Sequence, residues 1–279
     1  MSFKESSEAV FSESPGKTAF RKLRKDKRSL VALTILFSVI VLSFAAPIYA
    51  KYIAHTDPFK SNLNGTISIN GKDVQLLQPS TTGLGLGVTP IGPTWNPTKY
   101  FLGSDSQGRD VAARLLYGGR STLIIGTSAG LLCVLLSLLI GIFAGYRRGW
   151  LDSVLSRLLD IIWAFPVYLL AISLSVVLLT SGLSFGFIHF GPGSFALPIF
   201  IIGIVYIPYV ARPIRAQVLA LREREFVRAA IGTGAKHSTI VFREIFPNVM
   251  PSVIVFIPII VSDRKSTRLN SSHIPLSRM

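Results

Sequence analysis

Apolar residues in this chain are gathered into long blocks, and the charges stand at the ends of those blocks. Leu30 to Ala50 is 21 residues without a charge, and Ser121 to Tyr146 is 26. From Ile161 to Ala211 there is no Asp, Glu, Lys or Arg for 51 residues, and Phe246 to Ser262 adds 17 more. A hydrocarbon core about 30 Å thick takes roughly 20 apolar residues as a helix, so each block predicts a bilayer-spanning helix. The block of 51 is too long for one crossing and fits two, joined by the turn-rich Gly182 to Gly193. Five spans are therefore expected, the last of marginal length. The fold class that follows is an all-α integral membrane bundle.

Composition agrees with the pattern. Of 279 residues 49% are hydrophobic and only 15% charged, where a soluble domain carries about 25%. The net charge of +15 raises nucleic acid as a partner, but no basic stripe is interleaved with aromatics, and that class is set aside. One cysteine, Cys133, lies inside an apolar block, so neither an internal disulfide framework nor a thiolate cluster can form. His55, His189, His237 and His273 lack metal-ligand spacing. No metal or cofactor is expected on this chain.

Orientation follows from the flanking cations. With the N-terminus inside, the inner segments 1–29, 147–157 and 212–243 hold 8, 3 and 7 Lys and Arg residues; the outer segments 51–120 and 181–195 hold 7 and none. The basic cluster Arg21 to Arg28 ahead of a 21-residue block reads as the flank of a retained first span, since a cleaved leader has a shorter apolar core. The chain then divides into a cytoplasmic basic N-terminus (1–29), a first span (30–50), an extracytoplasmic loop (51–120) and a membrane core (121–262) that includes a cytoplasmic loop (212–247). In the outer loop, Thr66–Ile69 and Lys72–Leu76 flank Asn70-Gly71, a pair suited to a tight turn with positive φ, and a small β-hairpin excursion is expected there.

Candidate chemistry is sparse. Gly103-Ser104-Asp105-Ser106-Gln107-Gly108-Arg109-Asp110 has the glycine spacing of a phosphate-binding loop but puts Arg109 and Asp110 where lysine and a hydroxyl belong, so it is not an ATP site. Intramembrane charges would mark an ion pathway. Only Asp160 lies near a span, beside Arg157, and it reads as a helix-end pair. That absence argues against a stand-alone secondary transporter or channel, and no His, Asp, Ser or Cys constellation points to a membrane enzyme. An external motor needs a docking surface. Arg212 to Ile231 reads as a helix with an i, i+3 charge web over Arg222, Glu223, Arg224, Glu225 and Arg228. Gly232-Thr233-Gly234 reads as a turn, and Ala235 to Phe246 as a second short helix running into Pro247. Gly126/Gly130 and Gly141/Gly145 offer two small-residue faces for close helix approach.

The stretch Glu225-Phe226-Val227-Arg228-Ala229-Ala230-Ile231-Gly232-Thr233-Gly234-Ala235, with Pro247 beyond it, resembles the "EAA" loop of binding-protein-dependent ABC permeases, with Arg228 in place of the leading glutamate. Leu102 to Asp110, followed by Arg114 to Arg120, is similar to the signature of the C-type permease of dipeptide, oligopeptide and nickel importers. Gly145 to Asp152, with Arg157, Asp160 and Phe165-Pro166, is similar to that family's next stretch. The resemblance covers roughly residues 18–262. It implies a type I ABC-importer permease (MetI-like) helical bundle in a bacterial or archaeal cytoplasmic membrane. It further implies a second homologous permease, two cytoplasmic ATPases that use ATP and Mg, and an extracytoplasmic solute-binding protein that delivers peptides or a related small solute. The Phe226–Lys236 bend would dock in a groove of the ATPase, with Ala229, Ala230 and Gly234 packing there, Gly232 at the turn, and Arg228 and Glu225 as charged contacts. Ala230→Glu is then expected to uncouple transport.

After Ser262 the composition changes abruptly. Asp263 to Met279 is Ser- and Arg-rich and cannot span, where the family continues into a sixth helix. Residues 263–279 are expected to be foreign to the family sequence, leaving five of six spans.

Overall fold

The computed structural model describes residues 21, 23–69, 71–80, 87–185, 188–192 and 194–256. The anomalous tail 263–279 lies outside the described residues. The chain divides into two compact units, Met1–Thr122 and Leu123–Met279, and one long helix runs from the first into the second.

In the first unit, α1 (Lys27–Phe44) starts where Asp26 accepts from the Arg28 amide at 3.1 Å and the Ser29 hydroxyl at 2.6 Å. Its apolar side chains point outward, Val31 and Phe37 being more than half exposed, as a lipid-facing helix requires. Pro47 interrupts the helix, and a short π-helical stretch, Tyr49–Ile53, ends it. The polar segment that follows carries two antiparallel pairs. Strands β1 (Thr66–Ile69) and β2 (Lys72–Gln75) pair with Thr66 opposite Gln75, and Gly71 takes φ +79° at their turn; Asn70 lies outside the described residues. Strands β3 (Leu77–Pro79) and β4 (Val88–Pro90) pair beside them. Ile67, Leu76, Ile91 and Tyr100 form a small core under these strands.

Helix α2 (Val111–Arg147) has 37 residues, about 55 Å at 1.5 Å per residue, and overshoots the apolar block by a full ten residues at its start. The extension follows from Asp110, whose carboxylate caps the first turn. In the second unit, α3 (Trp150–Ala164) and α4 (Val167–Ser181) meet at 86°. Pro166 lacks an amide hydrogen and pushes Phe165 into extended backbone (φ −90°, ψ 138°), which stops the helix. The helix that carries Ile161 begins at Trp150, with charged residues on its first turns. Strands β5 (Leu183–Phe185) and β6 (Ile188–Phe190) pair antiparallel. Helices α5 (Ala196–Val205) and α6 (Ile207–Arg222) bend by 43° at Tyr206, where Pro208 removes one rung of the ladder.

The helix expected from Arg212 to Ile231 is instead two. Backbone at Arg224 turns extended (ψ 149°), separating α6 from α7 (Glu225–Gly232). The short second helix expected to end at Pro247 does not end there: α8 runs from His237 to Phe256. A π-helical stretch, Ile240–Ile245, precedes the proline, the kind of local rewinding by which a membrane helix absorbs a missing donor. Among the described residues, three helices (α1, α2 and α8) can each cross a bilayer by length and composition, and up to five crossings result if each bent pair counts as one.

Glycine lets α2 and α6 approach closely. A Cβ on Gly141 would lie 2.6 Å from Ile214 Cγ2, and one on Gly145 would lie 2.8 Å from Val218 Cβ. Ser137 Oγ donates to the Ile207 carbonyl at 3.2 Å, one step further along the same seam. A Cβ on Gly126 would meet open space, so of the two small-residue faces the sequence offers, Gly141/Gly145 is the one seated against α6. On its other side α6 faces α3. Arg215 holds Asp152 with two bonds of 2.5 and 2.7 Å, Arg212 pairs with Asp160, and Trp163 lies 4.3 Å from Tyr209. Asp160 thus pairs with α6, not with its neighbour Arg157.

Candidate functional site

The segment between α6 and α8 is a short helix on two stems. Val227 is fully buried and joins the core with Val218, Ile240 and Ile245, worth about 1.5–3 kcal/mol by the usual burial scale. Phe226 (40%) and Ile231 (47%) are exposed, and Ala229 is exposed with them. The two alanines therefore differ. Ala230 is half-buried against the core of this unit, and only Ala229 faces outward. After Gly232 the chain reverses through Gly234 at φ +77°, a conformation glycine adopts without a Cβ penalty. Three backbone bonds close the turn: Thr233 N–H to Ala229 O, Gly234 N–H to Ile231 O and Ala235 N–H to Ala230 O, each 3.0 Å. A Cβ at Gly232 or Gly234 would touch nothing within 4 Å.

Charges brace this segment from one side. Glu223 takes Arg148 on one carboxylate oxygen at 2.6 Å and Arg228 on the other at 3.0 Å. These two guanidinium bonds hold its carboxyl below the usual glutamate range. The i, i+3 web expected along one helix is replaced by a bridge that links the α2–α3 corner to α7. Glu225 stands in the first turn of α7, where a carboxylate meets the positive end of the helix dipole.

The expected extracytoplasmic motif folds as a separate constellation in the first unit. Asp110 is 1% exposed. Its oxygens accept from the amides of Tyr100, Ala112 and Ala113 at 3.1, 2.9 and 3.2 Å and from the Thr56 hydroxyl at 3.2 Å. Asp105 binds Arg109 through Nε and through the backbone and also accepts from the Gln107 amide. Burial pulls the Asp105 carboxyl up, the Arg109 bonds pull it down, and the net shift is downward. Burial pushes the Tyr100 hydroxyl up. Gly103 (φ +84°) and Gly108 (φ +71°) sit where a Cβ would collide with the backbone of Ile91 and Asn62. The carboxylates of Asp105 and Asp110 are thus engaged in holding this segment together. Among the described residues no group of His, Cys, Asp and Glu could hold a metal ion.

Sequence reasoning missed Asp152, Arg212, Arg215, Tyr146 and His237 as partners. His237 reads as an isolated histidine in sequence; in space its Nδ1 is 2.8 Å from Tyr146 Oη. The Gly141/Gly145 spacing announces a close neighbour but does not name it.

Long apolar helices seated on glycine, with a short amphipathic helix held out on two stems, define a polytopic helical membrane protein. The chain belongs to the family of binding-protein-dependent transport system inner membrane components, which it matches over residues 137–262; residues 14–68 match the N-terminal transmembrane domain of oligopeptide transport permease C. It is 32% identical over 243 residues to a dipeptide transport system permease protein of Alkalihalophilus pseudofirmus, covering 87% of this chain and 66% of that one. It is 30% identical over 241 residues to an oligopeptide transport system permease protein of Bacillus subtilis, covering 86% and 64%. It is also 30% identical over 243 residues to a putative peptide transport system permease protein of Brucella abortus, covering 87% and 67%. The chain spans slightly less than two thirds of the length of the first two of these relatives.

Proposed function

We propose that this chain is a membrane-spanning subunit of an ATP-driven importer of peptides, and that α7 is where the motor docks. The observation that carries the reading is the division of labour on α7: Val227 is buried and anchors it, while Phe226, Ala229 and Ile231 remain exposed on the same short helix. An exposed apolar patch of this kind on a short projecting helix fits a protein partner. ATP and Mg would be bound by a separate ATPase pair, a second homologous permease would complete the channel, and an extracytoplasmic binding protein would deliver the peptide. The positive-inside distribution places the N-terminus and α7 in the cytoplasm, and the strand-bearing segment with Gly103, Asp105, Gly108, Arg109 and Asp110 outside. The division into N-terminus, first span, outer segment, membrane core and docking loop follows that orientation. The relatives' names supply the peptide assignment, and α7 supplies the mechanism: closure of the ATPase pair would move α7, and α7 would move the helices it is tied to.

The test is co-expression with the neighbouring transport genes in a host without its own peptide importers. Purification should bring an ATPase along, and uptake of an isotopically labelled peptide digest should require ATP. ATP-independent uptake with no ATPase attached would refute the reading.

A further inference from the structure

The docking segment has two soft points, the extended backbone at Arg224 and the left-handed Gly234. A force applied to the outer face of α7 would be lost as rotation about Val227 unless the two stems are held together beyond those points. One side chain does this. Tyr146, 9% exposed at the end of α2, meets the outgoing stem at Arg222, whose guanidinium donates to the Tyr146 carbonyl at 2.8 Å and stands 5.7 Å over its ring. It meets the returning stem at His237 through the 2.8 Å hydrogen bond, with the rings edge-on at 5.8 Å. Arg222 lies before the first soft point and His237 after the second, so residues 223–236 form a loop pinned at both ends to one tyrosine. The Arg148–Glu223–Arg228 bridge braces the same corner.

We infer that Tyr146 is a positioning residue for energy coupling: it makes α7 and the end of α2 move as one body, so that displacement of α7 is delivered to a membrane helix. The inference rests on the docking reading above. It concerns transmission, whereas that reading concerns attachment, and the two fail separately.

The test uses the complete transporter with its partner subunits in lipid nanodiscs, in a Cys133→Ser background with nitroxides at Leu139→Cys and Arg224→Cys. One narrow distance is expected, the same without nucleotide and with ATP and vanadate. Tyr146→Phe keeps the ring and the backbone carbonyl and removes only the hydroxyl. It should broaden that distance or make it nucleotide-dependent, and should lower uptake of the labelled peptide digest per ATP hydrolysed by about threefold, the scale of one hydrogen bond. Adding His237→Gln to Tyr146→Phe should cost nothing further. A distance that already varies in the parent protein, or a Tyr146→Phe variant with unchanged distance and unchanged uptake per ATP, overturns the inference. An Ala229→Glu variant that still retains the ATPase overturns the docking reading instead, whatever the distances show.

Discussion

Asp110 shows how a charged residue inside a glycine-spaced motif can be spent on holding backbone together. Buried, it serves four donors at once and starts a helix of 37 residues. Asp110→Ala strands those donors and should lower stability by about 2–4 kcal/mol, read as a drop in thermal unfolding temperature in detergent. Asp110→Asn, which keeps one acceptor oxygen, should cost roughly half as much. Asp105 gives the same segment a pH limit. Its carboxyl is held below the usual aspartate value, so its contribution is fully present above the unfolded value of about 3.9 and is lost as pH falls through the lower folded value. Resistance of the strand-bearing segment to proteolysis should stay level from about pH 8 to pH 5 and fall only in stronger acid. Arg109→Gln removes the chief downward pull and should move that fall to higher pH.

At the scale of elements, the Gly141/Gly145 seam makes α2 and α6 inseparable. Gly145→Leu would drive a side chain into Val218 and the Arg215 carbonyl, an overpacking that costs about 1–3 kcal/mol. Gly126→Ala, whose Cβ meets nothing within 4 Å, should be silent in the same unfolding assay. This contrast marks the limit of what the sequence discloses. Block length and charge placement locate the apolar helices because bilayer thickness acts locally on the chain. Glycine spacing discloses a close-packed face for the same reason. Which helix fills that face depends on pairings such as Ser137 with Ile207, 70 residues apart, and Tyr146 with His237, 91 apart, and no local pattern encodes them. Helix ends were legible only in part. Pro166 stops α3 as its chemistry requires, yet Pro247 does not stop α8, because a π-helical stretch precedes it.

At the scale of the whole molecule, α7 and its turn differ most from the arrangement expected from sequence. Residues Glu225 to Gly234 do come together as one compact unit, but the alanine pair is split between inside and outside. Ala229→Glu should abolish ATPase co-purification while leaving the yield of folded chain unchanged. Ala230→Glu should instead lower that yield, since a carboxylate there is forced against Val227 and its neighbours. Size-exclusion profiles with and without the ATPase separate the two outcomes.

The pairing of α3 with α6 also bears on how the protein is made. Asp152 and Arg215 are 63 residues apart, and a ribosome adding about 5–20 residues per second needs roughly 3–13 s to supply the second after the first. For that time α3 carries carboxylates without their counter-ions and cannot settle at its final depth. It has to wait at the membrane surface, or within the insertion machinery, until α6 emerges. With Leu158→Cys as a single thiol in a Cys133→Ser background, a nascent chain arrested before Arg212 should therefore leave α3 accessible to water-soluble thiol reagents, and release of the arrest should bury it.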